Sequence, residues 1–234
     1  MSALSFLLGQ GVSALPISPG AAARQSGWEV SCYAAFAARI HKDVAHLKAV
    51  YDNDGFVFWS EKKKSYVLCY DDNAPANEIR WTLTHEIGHI VLSHVSPSCP
   101  ILARNGIGNV FYEMEADNFA LRVLCPACIL QECRVDTLDS IVNMCGIPCS
   151  CARSALTYVQ RFSADRQTAP LVSRLKCRFA DFIKDNKKNR PDNRAARVER
   201  VQFYETSPCN YAACSFALCL RCAAHAERRS IYSS

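Results

Sequence analysis

The chain has no run of 18 apolar residues, about the least that crosses a bilayer as a helix, so a membrane span is not expected. Its apolar patch near the start, residues 4–8, has no Lys or Arg before it, and a signal peptide needs that positive flank. The expected address is therefore the cytoplasm. Disorder is excluded by composition: 50% of the residues are hydrophobic and 21% charged, enough apolar material for one domain of roughly 150 residues plus appendages. Histidine is scarce, at six among 234 residues. Cysteine is not, at fourteen. A short secreted protein would use these for disulfides, but without an export signal they read as reduced thiols or metal ligands, most of them small core residues.

The scarcity of histidine makes its spacing informative. His85-Glu86-Ile87-Gly88-His89 is an HExxH pattern that arises by accident in roughly one chain in a hundred or fewer. On an α-helix, residues four apart sit one turn above each other, so both rings can offer a nitrogen to one zinc ion, with Glu86 beside the open coordination position. Leu83, Ile87, Ile90 and Val91 fall at i, i+4, i+7 and i+8, an apolar stripe that predicts a buried helix. Gly88 in its interior costs about 1 kcal/mol relative to Ala, a cost retained where another backbone or a ligand approaches closely. His94 is expected on the opposite face at about 100° per residue and not among the ligands.

A catalytic zinc site needs a third protein ligand and leaves the fourth position to water. A second helical pattern, Phe111-Tyr112-Glu113-Met114-Glu115-Ala116-Asp117-Asn118-Phe119-Ala120, supplies the candidates, and Glu115 is the one chosen. Glu113 and Asp117 each stand two residues from it, roughly 200° around the helix, and are expected on a solvated acidic face.

At these residues the chain resembles the ImmA/IrrE family of zinc metallopeptidases. The likeness is carried by Arg80-Trp81-Thr82-Leu83-Thr84 leading into the HExxH helix, by Glu115-Ala116-Asp117-Asn118-Phe119-Ala120, and by Val123-Leu124-Cys125-Pro126. Weaker likeness covers Gly55-Phe56-Val57 and Ser65-Tyr66-Val67-Leu68-Cys69-Tyr70, and the whole spans roughly residues 15–162. The resemblance implies an α+β, zincin-like metallopeptidase with a small β-sheet packed on helices. It implies Zn2+ held by His85, His89 and Glu115, with Glu86 as general base, taking a proton from the attacking water and handing it to the leaving amine. It also implies a substrate: a helix-turn-helix repressor or antitoxin whose cleavage releases mobile-element or stress genes. One departure is Cys125, which stands where the family has an apolar residue and creates Cys125-Pro126-Ala127-Cys128. In that register the redox-motif spacing is accidental and the thiols are structural.

The expected organisation is a zinc metallopeptidase domain over residues 1–130, a helix-turn-helix-like helical subdomain over 131–165, an amphipathic helix and basic linker over 166–206, and a Cys-rich tail over 207–234. Residues 21–46 read as largely helical. Phe56-Val57-Phe58-Trp59, a charged turn at 61–64, and residues 66–70 read as a β-hairpin whose edge could take an extended peptide as an added strand. Segments 71–78 and 97–108, rich in Asp, Asn, Ser, Pro and Gly, read as loops. Over 137–162, two short helices flank Gly146-Ile147-Pro148, with Leu138, Ile141, Val142, Ala155, Leu156 and Val159 as their apolar set. A subdomain packed beside the peptidase is favoured over a DNA reader, because residues 152–161 carry few base-reading side chains.

Leu171, Leu175, Phe179, Phe182 and Ile183 mark the amphipathic helix, and 185–200 reads as a solvated linker. Residues 173–200 hold ten Lys or Arg against four Asp or Glu, a local net charge of +6 beside +5 for the whole chain. A solvated charge run is favoured over phosphate contacts to nucleic acid. Cys209, Cys214, Cys219 and Cys222 are a candidate structural zinc site, although their central gap is shorter than the usual 12–20 residues between zinc-finger ligand pairs. Tyr112, Arg80 and Arg104 are candidates for stabilising an oxyanion by proximity in sequence alone. The competing class of function is a noncatalytic regulator that binds DNA or a repressor on a retained peptidase scaffold.

Overall fold

Ser2 caps the first helix, α1 (Ala3–Gly9), by accepting a hydrogen bond from the Ser5 N–H, one of the donors a first turn leaves over. The structure, a computed structural model, describes residues 2–102 and 109–188. Phe6 and Leu7 of α1 are buried, and Phe6 meets Phe119 edge-on at 5.5 Å between ring centroids, so the apolar patch near the start is a piece of core. α2 (Pro19–Gln25) opens on a proline, whose missing N–H has no partner to lose in a first turn.

The stretch expected to be one helical run is then interrupted. After α2 comes β1 (Glu29–Cys32), followed by α3 (Tyr33–Arg39) and α4 (Val44–Val50). Glu29, Val30, Ser31 and Cys32 alternate polar and apolar, but over only four residues inside a stretch of otherwise helical composition, and all four are half-buried. What makes them a strand is a partner from elsewhere in the chain, a tertiary influence that local propensity does not contain.

That partner is in the hairpin. β2 (Gly55–Ser60) and β3 (Ser65–Tyr70) pair antiparallel from Gly55 opposite Tyr70 to Ser60 opposite Ser65, around the expected charged turn. β1 lies parallel on the other edge of β3, from Glu29 beside Val67 to Cys32 beside Tyr70. The sheet order is β1-β3-β2. Period-two alternation gives the sheet two buried faces. Phe56, Val67 and Cys69 join Tyr33, Phe36 and Leu47 of α3 and α4, whereas Val57 and Leu68 join the larger core on the other side.

That larger core is built on two 16-residue helices, α5 (Ala76–Val91) and α6 (Asn109–Leu124). They approach each other closely at Gly88. A Cβ added there would stand 3.1 Å from Phe119 Cδ1 and 3.2 Å from Ala116 Cα, so the glycine admits the backbone of α6. α7 (Ala127–Glu132), α8 (Leu138–Cys145) and α9 (Cys149–Arg161) follow. Thr137 caps α8 by accepting from the Ser140 N–H, and Gly146, at φ 62°, ends it in the left-handed conformation that favours glycine.

The expected single amphipathic helix is two, α10 (Ala169–Arg178) and α11 (Ala180–Lys188), joined at Phe179. Val172, Leu175, Phe179 and Ile183 nevertheless keep one buried face. Ile141, Ile147, Ala155 and Val159 belong to the same buried cluster as Ile87, Phe119 and Leu124, so the helices of 131–165 and those of the expected peptidase domain share a core. No helix among the described residues is long and apolar enough to cross a membrane. The expected linker beyond residue 188 and the Cys-rich tail lie outside the described residues.

Candidate metal site

His85 and His89 stand one turn apart on α5, both buried, with their Nε2 atoms 3.0 Å apart. α6 brings a carboxylate between them: Glu113 Oε2 is 3.0 Å from His85 Nε2, and Oε1 is 3.6 Å from His89 Nε2. Asp117 Oδ1 lies 2.9 Å from the other ring nitrogen of His85, Nδ1. Among the described residues, His85, His89 and Glu113 are the one group of three or more His, Cys, Asp or Glu whose ligand atoms converge this closely.

The sequence reading put Glu115 in this group and Glu113 and Asp117 in solvent. The structure places them the other way. Glu113 and Asp117 are four residues apart, so they share a face of α6, and that face is the one turned to α5. Glu115, about 200° away, points past the group with its side chain 61% exposed, and its Oε2 meets His94 Nε2 at 3.0 Å.

His94 itself departs from the helical extrapolation. α5 ends at Val91, and Ser93 takes a left-handed φ of 65°. The N–H groups of His94 and Val95 then turn back to donate to the carbonyl of His89 at 2.8 and 3.2 Å, closing the helix as a left-handed terminus does. The His94 ring is swung against the site, Nδ1 to Nδ1 with His89 at 3.0 Å, and the Tyr112 ring stacks on it at 4.5 Å between centroids. Rotation at 100° per residue fails here because the helix has already stopped.

Glu86 is buried on the side of α5 that faces the sheet. A Cβ added at Gly55, the first residue of β2, would stand 3.8 Å from Glu86 Cγ and would overlap Thr82 Cγ2 at 2.4 Å. Gly55 therefore lets the strand lie close over the helix beside Glu86. β2 is an edge strand; on its outer side the Trp59 N–H donates to the Pro100 carbonyl at 2.8 Å.

Electrostatics suit a cation. Burial pushes the Glu113 carboxyl up, but hydrogen bonds with His85 and His89 outweigh it and hold the group well below the usual carboxylate range. Burial lowers the pKa of His89, and burial followed by the proximity of His89 lowers that of His94. Neutral imidazoles beside an ionised carboxylate are the protonation states in which these residues bind metal. The distances fit as well. A tetrahedral ion with bonds of about 2.0–2.1 Å would set its ligand atoms about 3.3 Å apart, against the 3.0, 3.0 and 3.6 Å found.

The other sequence candidates fall elsewhere. Arg80 is part of the scaffold: Nε donates to the Ile17 carbonyl at 3.1 Å and Nη1 to that of Gly146 at 2.7 Å. Arg104 and the set Cys209, Cys214, Cys219 and Cys222 lie outside the described residues. Cys125 and Cys128 are buried. A hydrogen bond to Cys145, together with burial, raises the Cys125 thiol well above its ordinary pKa, and burial pushes Cys128 up to about 11. A catalytic dithiol needs the opposite shift, so both are packing groups.

The site lies within a segment that matches a known family. The model described as Peptidase M78, IrrE N-terminal-like domain, matches residues 41–157. No curated protein sequence matches the chain.

Proposed function

The chain belongs to the Peptidase M78 family, that of the IrrE N-terminal-like domain, and we propose that it is a zinc-dependent endopeptidase acting on a helix-turn-helix repressor or antitoxin. The observation that carries the reading is the convergence of His85 Nε2, His89 Nε2 and the Glu113 carboxylate, on a helix that also carries the buried Glu86. In this reading His85, His89 and Glu113 hold the metal, with Glu113 taking the place first assigned to Glu115. Asp117 orients His85 through Nδ1, a common outer partner of a ligating histidine. Zinc bound there supplies Lewis acidity, which acidifies water and polarises a peptide carbonyl.

Glu86 is the general base. It takes a proton from water as the water oxygen attacks the scissile carbonyl carbon, and returns it to the amine that leaves as the C–N bond breaks. β2, an edge strand, lies over Glu86 at Gly55, which favours an extended substrate segment added as a strand at that end of it. Such a mode selects an accessible, extended stretch of a folded partner, and specificity then rests on docking as well as on the residues around the scissile bond.

The test is to mix the purified chain with zinc or manganese and the helix-turn-helix protein encoded beside its gene. The repressor is cut at one or a few sites, casein is a poor substrate, and Glu86→Gln keeps its metal and its partner but loses cleavage by about 10²–10⁴-fold. If wild type and Glu86→Gln release the repressor from DNA equally well without fragments, the noncatalytic regulator is the better reading.

A further inference from the structure

His89 carries a second layer of contacts that the proposed function leaves unused. Its outer nitrogen, Nδ1, lies 3.0 Å from Nδ1 of His94, whose Nε2 lies 3.0 Å from Glu115 Oε2. We propose that Glu115 acts through His94 to fix the tautomer of His89, so that Glu115, although no ligand, is a positioning residue for the metal. The inference rests on the reading of His89 as a ligand through Nε2.

The argument is one of donors and acceptors along a single file. A neutral imidazole has one N–H and one lone pair, so the two rings can share one hydrogen bond in either of two directions. In one, His94 donates from Nδ1 to His89; the His89 proton then sits on Nε2, where it blocks a metal, and the bare Nε2 of His94 faces Glu115. In the other, His89 donates from Nδ1, its Nε2 lone pair faces His85 and Glu113, and His94 donates from Nε2 to Glu115.

A carboxylate can only accept. The first arrangement sets two acceptors 3.0 Å apart at the Glu115 end, and the second places a proton between them. At the other end Glu113 Oε1, 3.6 Å from His89 Nε2, favours a proton there in the metal-free chain; once a cation joins Glu113 only the arrangement with His89 Nε2 bare remains, and Glu115 is the acceptor that completes it. Geometry holds the file in register: His94 is buried, pinned through its backbone to the His89 carbonyl, and stacked on Tyr112. The two histidines are thus supported differently, His85 by Asp117 directly and His89 by a carboxylate one ring away.

The experiment is zinc titration of the full chain by competition with a chromogenic chelator, together with ¹⁵N NMR of the imidazoles in the zinc-loaded protein. His94→Phe keeps the stacking shape but loses the acceptor, and zinc affinity falls about 10–100-fold. His94→Asn can place an amide oxygen near the position of Nδ1 and holds affinity within about threefold of wild type, as expected if the lost quantity is the acceptor. Glu115→Gln, whose amide can donate as well as accept, weakens zinc by up to about tenfold. In the His94→Phe background the same change has no further effect, because its route to the metal is gone. In the spectra of the zinc-loaded wild type His89 carries its proton on Nδ1 and His94 on Nε2, and in Glu115→Gln the His94 proton is shared between Nδ1 and Nε2. Wild-type zinc affinity in His94→Phe overturns the relay, as does a His94 protonated on Nδ1 in the zinc-loaded wild type. Failure of the wild type to bind zinc at all would instead sink the metallopeptidase reading.

Discussion

The interior around α5 and α6 and the interior around α7 to α11 are equally dry but are held in different ways. His85, Glu86, His89 and His94 are 1%, 5%, 3% and 7% exposed, nearly as little as Ile129, Leu130, Leu175 and Phe179 at 0%. In the first region ring nitrogens and carboxylate oxygens stand 2.9–3.0 Å apart, and direction as well as distance matters. In the second, apolar side chains and small thiols meet chiefly by shape. The hydrogen bonds of the polar region each add little net stability, because water would have made them too, yet losing one partner strands the other. The apolar region contributes stability through area removed from water. The molecule thus separates what keeps it folded from what equips it to bind.

The largest effect expected from breaking that separation is in the polar region. Glu113→Ala loses stoichiometric zinc and repressor cleavage with little change in unfolding of the metal-free protein, whereas Glu115→Ala still loads to one equivalent when zinc is in excess. Metal analysis of the purified variants checks this, and the reverse pattern would return Glu115 to the ligand set. Next in size is Phe179→Ala, which removes a fully buried ring between α10 and α11 and is expected to cost about 3–5 kcal/mol in denaturant unfolding. The folded fraction should still bind zinc with wild-type affinity, and a proportional loss of affinity would mean that the two regions are coupled.

The smallest effect is on the surface of the apolar region. Glu132 accepts from Lys176 and Lys187 at 2.8 Å each, and those bonds hold its carboxyl at about 2, below an ordinary 4.5. With the side chain 34% exposed, solvent screening leaves the cluster at most about 1 kcal/mol. Because the folded pKa is depressed, that contribution is present above 4.5 and is lost as pH falls from there toward 2. Glu132→Gln should lower the melting temperature slightly at neutral pH, and the difference should shrink with added salt and with acid. A large, salt-independent loss would show that this carboxylate matters to packing.

The legible part of the site was the part whose geometry is local. The spacing of His85, Glu86 and His89 implies one helical face with the acid beside it, and Gly88 implies a close neighbour, since both follow from 3.6 residues per turn. The same rule applied to α6 places Glu113 and Asp117 together and Glu115 apart. It does not say which face meets α5. That was decided by the contact of Gly88 with Ala116 and Phe119, a packing choice between segments distant in sequence.

His94 escaped for a related reason: one left-handed residue, Ser93, ends the periodicity on which the extrapolation depends. The β2–β3 hairpin was readable from its aromatic and β-branched runs and its charged turn, but the four residues of β1 were not, because a parallel partner more than thirty residues away makes them a strand. By itself, then, the sequence determined the HExxH helix, the hairpin and the apolar faces of α8 to α11, all written at short range in the chain. Which carboxylate completes the group of donors, which one reaches His89 only through another ring, and what pairs with β3 were left to the tertiary structure, because they depend on the orientation of one element against another.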